Sequence, residues 1–214
     1  MKSELAPLTA RTLGDQVPRR GHWLLAGVGK LILGAMGWRI VGRLPNTPRV
    51  VLAVAPHTSN IDGLIGISAI QSLRVQVRFM GKHTLFEGRL GRLMYWLGGI
   101  PVNRDSARDV VDQTTAVMRE TPFWLGLAPE GTRTGAKRWK TGFYRIAEQM
   151  AVPIVVLGFC YRRRQVRIVD CFLPTGDMDA DMARMVASLA DIVPRKPALL
   201  SAPLQAAKAA RGID

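Results

Sequence analysis

Short apolar runs alternate along this chain with longer stretches of helical periodicity. Val50 to Ala55 is continuous, apolar and rich in β-branched residues, and Pro56 bounds it; this is the pattern of a strand buried on both faces. Thr58, Ser59 and Asn60 are each suited to cap a helix, so the spacing predicts one from there to about Leu73. Val75 to Met80 reads as the next strand. Leu85, Phe86, Leu90, Leu93, Met94 and Leu97 recur at helical spacing opposite Glu87, Arg89 and Arg92, which predicts a helix over 85–97 stopped by Gly98-Gly99. A short strand over Ile100 to Val102 follows, then a helix capped by Ser106 and running to about Glu120. Phe123 to Ala128 is again a strand, Pro129 to Lys140 a polar loop, and Thr141 to Gln149 a helix. Val152 to Cys160 and Gln165 to Phe172 read as two strands of a hairpin turned at Arg162-Arg163-Arg164. The remainder is Ala-rich and weakly helical, broken by Pro194 and Pro197. The alternation predicts a single α/β domain with a mainly parallel mixed sheet flanked by helices, and ligands at the carboxyl ends of its strands.

Ahead of this domain stands an N-terminal arm. Trp23 to Trp38 is an apolar run broken by Lys30 and flanked by Arg19, Arg20, Arg39 and Arg43. It falls short of the roughly 20 apolar residues needed to span a bilayer, and it has no small-residue cleavage site of the secretory kind. The pattern suits an amphipathic, membrane-associated helix with basic flanks on anionic headgroups; a Gly-rich helix packed on the domain is the other reading. Gly27-Val-Gly-Lys30 is not a phosphate-binding loop, because Leu24 and Leu31 stand where that motif needs Gly and Ser or Thr. The turn cluster Pro45-Asn-Thr-Pro48 closes the arm, giving residues 1–48 as the arm, 49–193 as the main domain and 194–214 as a C-terminal tail.

Charge narrows the partners. A net charge of +14 over 214 residues calls for something anionic: nucleic acid, acidic lipid headgroups, phosphorylated substrates or an acidic carrier protein. The aromatic residues do not interleave with the basic ones as a platform for single strands would, so no nucleic acid is expected. Two cysteines without ligand spacing, Cys160 and Cys171, read as two buried thiols in a reducing compartment, and three scattered histidines form no cluster; no metal and no bound cofactor are expected. The expected location is the cytoplasmic face of a membrane, peripheral or monotopic.

The chemistry concentrates at two strand ends. His57-x4-Asp62 places a carboxylate about one helical turn after an imidazole, so that Asp62 can hold the Nδ1 proton while Nε2 accepts a proton from a hydroxyl. With no Ser or Cys at an elbow motif, that hydroxyl belongs to a substrate. A helix cap explains the same spacing equally well. Pro129-Glu130-Gly131-Thr132-Arg133, after a second apolar run, adds a carboxylate and a guanidinium fork.

His57-x4-Asp62, Gly99-Ile-Pro-Val-Asn-Arg104, Glu130-Gly-Thr-Arg133 and Val152-Pro153-Ile154 occur in the order of the four sequence blocks of the glycerolipid acyltransferases, and over roughly residues 50 to 160 the chain resembles that family of 1-acyl-sn-glycerol-3-phosphate and lysophospholipid acyltransferases. The resemblance implies that His57 is the general base and Asp62 its orienter. It implies that Arg104, Glu130, Gly131, Thr132 and Arg133 line the acceptor site, and that Val152, Pro153 and Ile154 shape the acyl pocket. Lys82 matches a basic position used on the acceptor phosphate. The partners implied are a lyso-lipid acceptor, acyl-CoA or acyl carrier protein as co-substrate, and an anionic membrane surface. The resemblance implies 1-acyl-sn-glycerol-3-phosphate as acceptor and phosphatidic acid as product; Pro56, Ile61 and the Val-Asn-Arg ending of the second block depart from the family's common residues and point to a divergent branch, which keeps another lysophospholipid or a lyso-aminolipid as the alternative acceptor. A catalytically idle lipid-binding scaffold is the rival from outside enzymology. Backbone amides after His57 are expected to hold the oxyanion, and Trp139 either inserts at an interface or packs in its loop.

Overall fold

A computed structural model describes residues 5–102 and 107–213. Seven strands form one sheet in the order β1-β7-β6-β2-β5-β3-β4, with β1 at Arg39–Val41, β2 at Val50–Val54, β3 at Val77–Lys82, β4 at Gly99–Val102, β5 at Trp124–Leu127, β6 at Ile154–Cys160 and β7 at Gln165–Phe172. Every pairing is parallel except β6 with β7. The helices are α1 (Trp23–Ala35), α2 (Asn60–Leu73), α3 (Gly88–Trp96), α4 (Ala107–Glu120), α5 (Gly142–Met150), α6 (Met178–Leu189) and α7 (Ala202–Ala209). The chain is the single α/β domain with a mixed, mainly parallel sheet that the hydrophobic pattern predicts.

Two cores explain the continuous apolar strands. On one face, Val51, Ala53 and Ala55 of the β2 run pack with Met118 of α4, Phe143 and Ile146 of α5, Met185 of α6 and Leu204 of α7. On the other, Val50 and Leu52 pack with Leu33 of α1 and Ile65, Ala69 and Leu73 of α2. A strand buried on both sides has no polar face to present, so alternation disappears from its sequence.

The arm is more integrated than the turn cluster at Pro45 suggests. Leu8, Val17, Trp38 and Ile40 are all buried in the second core, and β1, not foreseen, pairs with β7 at the sheet edge. Three residues are too few to show a period. Gly29 has a packing role: a Cβ there would lie 2.6 Å from the Ser68 carbonyl oxygen, so its absence lets α1 lie directly on α2. The residues 194–213 carry α7 and bury Leu200 and Leu204. The expected helix over 85–97 is interrupted: a 3₁₀ turn spans His83–Phe86, Gly88 takes φ +60°, and α3 begins there. Ser106, expected as a cap, lies outside the described residues.

Candidate active site

The sheet order makes β2 and β5 neighbours, and both carboxyl ends open onto one site. His57 follows β2 after the cis Ala55–Pro56 peptide, and Glu130 follows β5. The two loops are joined by the His57 backbone N–H, which donates to Glu130 Oε2 at 2.7 Å. The strand pairing therefore brings the first and third blocks together, with no long side chain having to reach across.

The start of α2 builds the acid. Ser59 caps the helix, its Oγ accepting from the Ile61 N–H at 3.2 Å, and Asp62 completes a capping box from the third helical position. Asp62 Oδ2 accepts the backbone N–H groups of Thr58 and Ser59, both at 2.9 Å, and lies 3.3 Å from His57 Nδ1. Oδ1 accepts the Tyr161 hydroxyl at 2.5 Å. Asp62 is 1% exposed, a buried carboxylate with donors on both oxygens. Burial works to raise its pKa, but hydrogen bonds from His57, Tyr161 and the Ser59 N–H, with the field of His57, carry it below the usual carboxylate value. The same bonding raises the Tyr161 phenol, through burial first and the Asp62 carboxylate second. The helix cap and the pairing with His57, alternatives in the sequence, are both made by Asp62.

Arg133 supplies the cation. Its Nε donates to His57 Nε2 at 3.1 Å, and its Nη1 donates to Asn60 Oδ1. A guanidinium only donates, so Nε2 accepts with its lone pair and the imidazole proton belongs on Nδ1, facing Asp62. Several amides of the helix-start loop have partners of their own: those of Thr58 and Ser59 serve Asp62, that of Ile61 serves Ser59, and that of His57 serves Glu130. The guanidinium of Arg133 is the charge set against Nε2.

The loop after β5 is shaped by Gly131, whose φ of +64° closes a tight turn with its N–H on the Ala128 carbonyl. Thr132 is exposed, its hydroxyl 2.9 Å from that of Thr134. Trp139 does not reach an interface: it is 6% exposed, and its indole N–H donates to Ser201 Oγ at 3.0 Å. Lys137, Arg138 and Lys140 on the same loop are exposed. Lys82 ends β3, though its side chain lies outside the described ones, as does Arg104 altogether. Val152, Pro153 and Ile154 are not brought to His57. Ile154 pairs beside Val51 at the amino end of the sheet, and the Pro153 carbonyl accepts the Val51 N–H, so this block starts a strand at the end opposite the site. Cys160 is buried, but Cys171, where β7 runs beyond its pairing with β1, is exposed, which corrects the expectation of two buried thiols. Among the described residues no three His, Cys, Asp or Glu are grouped as metal ligands.

Tyr161 and Ser201 were not singled out in the sequence, and Asn60 was read only as a candidate helix cap. Tyr161 lies just past β6, its ring edge-on to Trp38 at 4.9 Å; its approach to Asp62 depends on β6 lying next to β2, which no local motif reveals. Burial pushes the Glu130 carboxyl up, against the His57 N–H and the Ser201 hydroxyl. A folded pKa above the ordinary 4.5 means the folded state binds the proton more tightly, so the ionised group costs stability as pH rises through that window. Glu130→Gln keeps an acceptor for the His57 N–H and removes the charge. Thermal unfolding across pH is expected to show the variant melting at or above the wild type at neutral pH, with the gap closing below about pH 4.5. A gap that widens on acidification contradicts the assignment.

The chain matches known proteins in two respects. The family model described as Acyltransferase matches residues 40–159. The crystal structure of the 1-acyl-sn-glycerophosphate acyltransferase from Thermotoga maritima superposes with a TM-score of 0.53 at 16% identity, covering 76% of this chain and 73% of that one. No curated protein sequence matches.

Proposed function

The chain belongs to the Acyltransferase family, and from that premise we propose that it moves a fatty acyl group from an acyl thioester to a hydroxyl of a lyso-glycerolipid, with 1-acyl-sn-glycerol-3-phosphate the preferred acceptor and phosphatidic acid the product. One observation carries the reading: His57 has its Nδ1 turned to a buried carboxylate at 3.3 Å and its Nε2 turned outward, occupied only by a guanidinium. In the reaction the acceptor hydroxyl takes the place of Arg133 at Nε2. His57 removes its proton as the oxygen attacks the thioester carbonyl, and Asp62 stabilises the imidazolium. The tetrahedral intermediate collapses with cleavage of the C–S bond, and the imidazolium returns its proton to the leaving thiolate. Arg133, displaced, is placed to hold the oxyanion or the acceptor phosphate as a planar fork. Lys82 and Arg104 are assigned to the same phosphate, Glu130, Gly131 and Thr132 to shaping the acceptor site, and acyl-CoA or acyl carrier protein to the donor role.

The test is product analysis. Purified protein and its His57→Ala variant are incubated with acyl thioesters and a panel of lyso-acceptors, and the lipids are read by mass spectrometry. His57-dependent phosphatidic acid supports the reading in full. A His57-dependent product from a phosphate-free lyso-lipid moves the acceptor to the aminolipid alternative. Membrane binding with no acylated product on any acceptor leaves the idle scaffold.

The membrane assignment draws on α1. No helix among the described residues is long and apolar enough to cross a bilayer, but Trp23, Leu24, Val28 and Leu31 lie on one side of α1, 51–71% exposed, facing away from α2. A row of large apolar side chains in water suits insertion into the headgroup region, with the surrounding arginines on anionic lipid. In flotation with anionic vesicles, Leu31→Ser is expected to weaken binding about tenfold, from the lost burial of one leucine. Binding unchanged by Leu31→Ser and by Trp23→Ser assigns the stripe to another partner.

A further inference from the structure

A cavity of about 330 Å³ lies away from the catalytic loops, lined by Arg20, Gln76, Arg78, Tyr95 and the glycines 98 and 99. Gln76 and Arg78 stand at the amino end of β3 and the glycines at the amino end of β4, whereas His57 follows the carboxyl end of β2. In a sheet whose β2, β3, β4 and β5 run parallel, these are opposite ends. We propose that this cavity is a second site, one that binds a phosphate group independently of acyl transfer.

Its electrostatics are the reason. Arg20 and Arg78 both line one hollow, and no carboxylate among the described residues lines it. Neither is loose. Arg20 donates from Nη2 to the Trp96 carbonyl, which fixes its plane and leaves its other donors uncommitted. Arg78 is half-buried, held by a cation–π contact with its guanidinium carbon 4.6 Å from the centre of the Phe123 ring. Two cations lining the same hollow repel, and an anion seated there reverses the sign of that interaction. The planar fork of each arginine matches two oxygens of a phosphate, and the Tyr95 hydroxyl and Gln76 amide add neutral donors. The volume is at the small end of the range for ligand sites, about 300–1,000 Å³, suited to a headgroup-sized ligand. Gly98, at φ +98°, keeps the wall open: a Cβ there would lie 2.7 Å from the Val77 carbonyl oxygen and 3.0 Å from Arg20 Nη1, displacing that guanidinium. Tyr95 and Trp96 are about half-exposed at the rim, so the phosphate can arrive free in solution or on a lipid headgroup.

Isothermal titration with inorganic phosphate, and flotation with phosphatidylcholine vesicles with and without phosphatidate, separate the two sources. Arg78→Gln and Arg20→Gln are each expected to weaken phosphate binding, or the phosphatidate-dependent part of flotation, about tenfold or more, the worth of a hydrogen bond to a charged group. Arg20 is exposed, so its variant stands even where Arg78→Gln folds poorly. Arg162→Gln removes the same charge from an exposed turn and is expected to change nothing. His57→Ala, which removes no cation, is expected to retain the binding, which separates failure here from failure of the acyl-transfer reading. Equal weakening by Arg162→Gln, loss in Arg133→Gln instead, or no phosphate binding in either arm overturns the proposal.

Discussion

Replacing His57 by Ala is expected to lower the acyl-transfer rate by about 10²–10⁴-fold while leaving the protein folded. The His57 side chain is 18% exposed, and its structural tie, the backbone N–H to Glu130, survives truncation. Only the imidazole is lost, and with it the one group whose accepting nitrogen faces the site while its other nitrogen faces a carboxylate. The measurement is steady-state transfer to the best acceptor of the panel, beside the melting temperature of each protein. Activity that falls while the melting temperature holds is the signature of a base. Parallel loss of both would make His57 a structural residue, and full activity in the variant would remove the mechanism. Arg133 sharpens the result. Because it occupies Nε2 when no acceptor is bound, Arg133→Gln both frees the base and deletes the nearest cation, so its loss is expected mainly in KM for phosphate-bearing acceptors.

The strands and the first helix of this site were legible because their causes are local. An apolar run too short for a helix, ended by Pro56 and followed by three capping residues, admits little besides a buried strand turning into α2. The pairing of His57 with Glu130 was legible only through the order of motifs, since it depends on β5 inserting beside β2, which nothing in either segment dictates. Tyr161 was hidden for the same reason: a tyrosine beside a run of arginines at a hairpin turn looks solvated until β6 is placed next to β2. The apolar stripe of α1 was visible but its partner was not. One side of the helix packs on α2 through Gly29, as the packed-helix reading has it, while the exposed stripe on the other side is what the membrane proposal rests on. The block around Pro153 shows the converse. A motif can be recognised in its family order and still serve the start of a strand remote from the base.

Asp62→Asn is expected to cost on the order of 10²–10³-fold in rate, less than a variant that reverses the imidazole tautomer would. The geometry decides which outcome applies. Oδ2 faces three donors, the N–H groups of Thr58 and Ser59 and His57 Nδ1, while Oδ1 faces only the Tyr161 hydroxyl. An asparagine therefore turns its oxygen to the first group and its NH₂ to Tyr161, whose oxygen can accept. The tautomer survives, and what disappears is the negative charge that stabilises the imidazolium. Tyr161→Phe tests the other oxygen. It leaves Asp62 ionised but deprives Oδ1 of its donor, at a cost of about 1.5–3 kcal/mol in stability. Because the Asp62 pKa lies below its ordinary 3.8 in the folded protein, the stability it contributes is present above that value and is lost as pH falls through the lowered one. The gap between Tyr161→Phe and wild type is thus expected to be full at neutral pH and to vanish under strong acid. Denaturant unfolding at both ends of that range, with the rate measured at neutral pH, separates a tyrosine that positions the carboxylate from one that only fills space. In the second case the stability gap would not depend on pH.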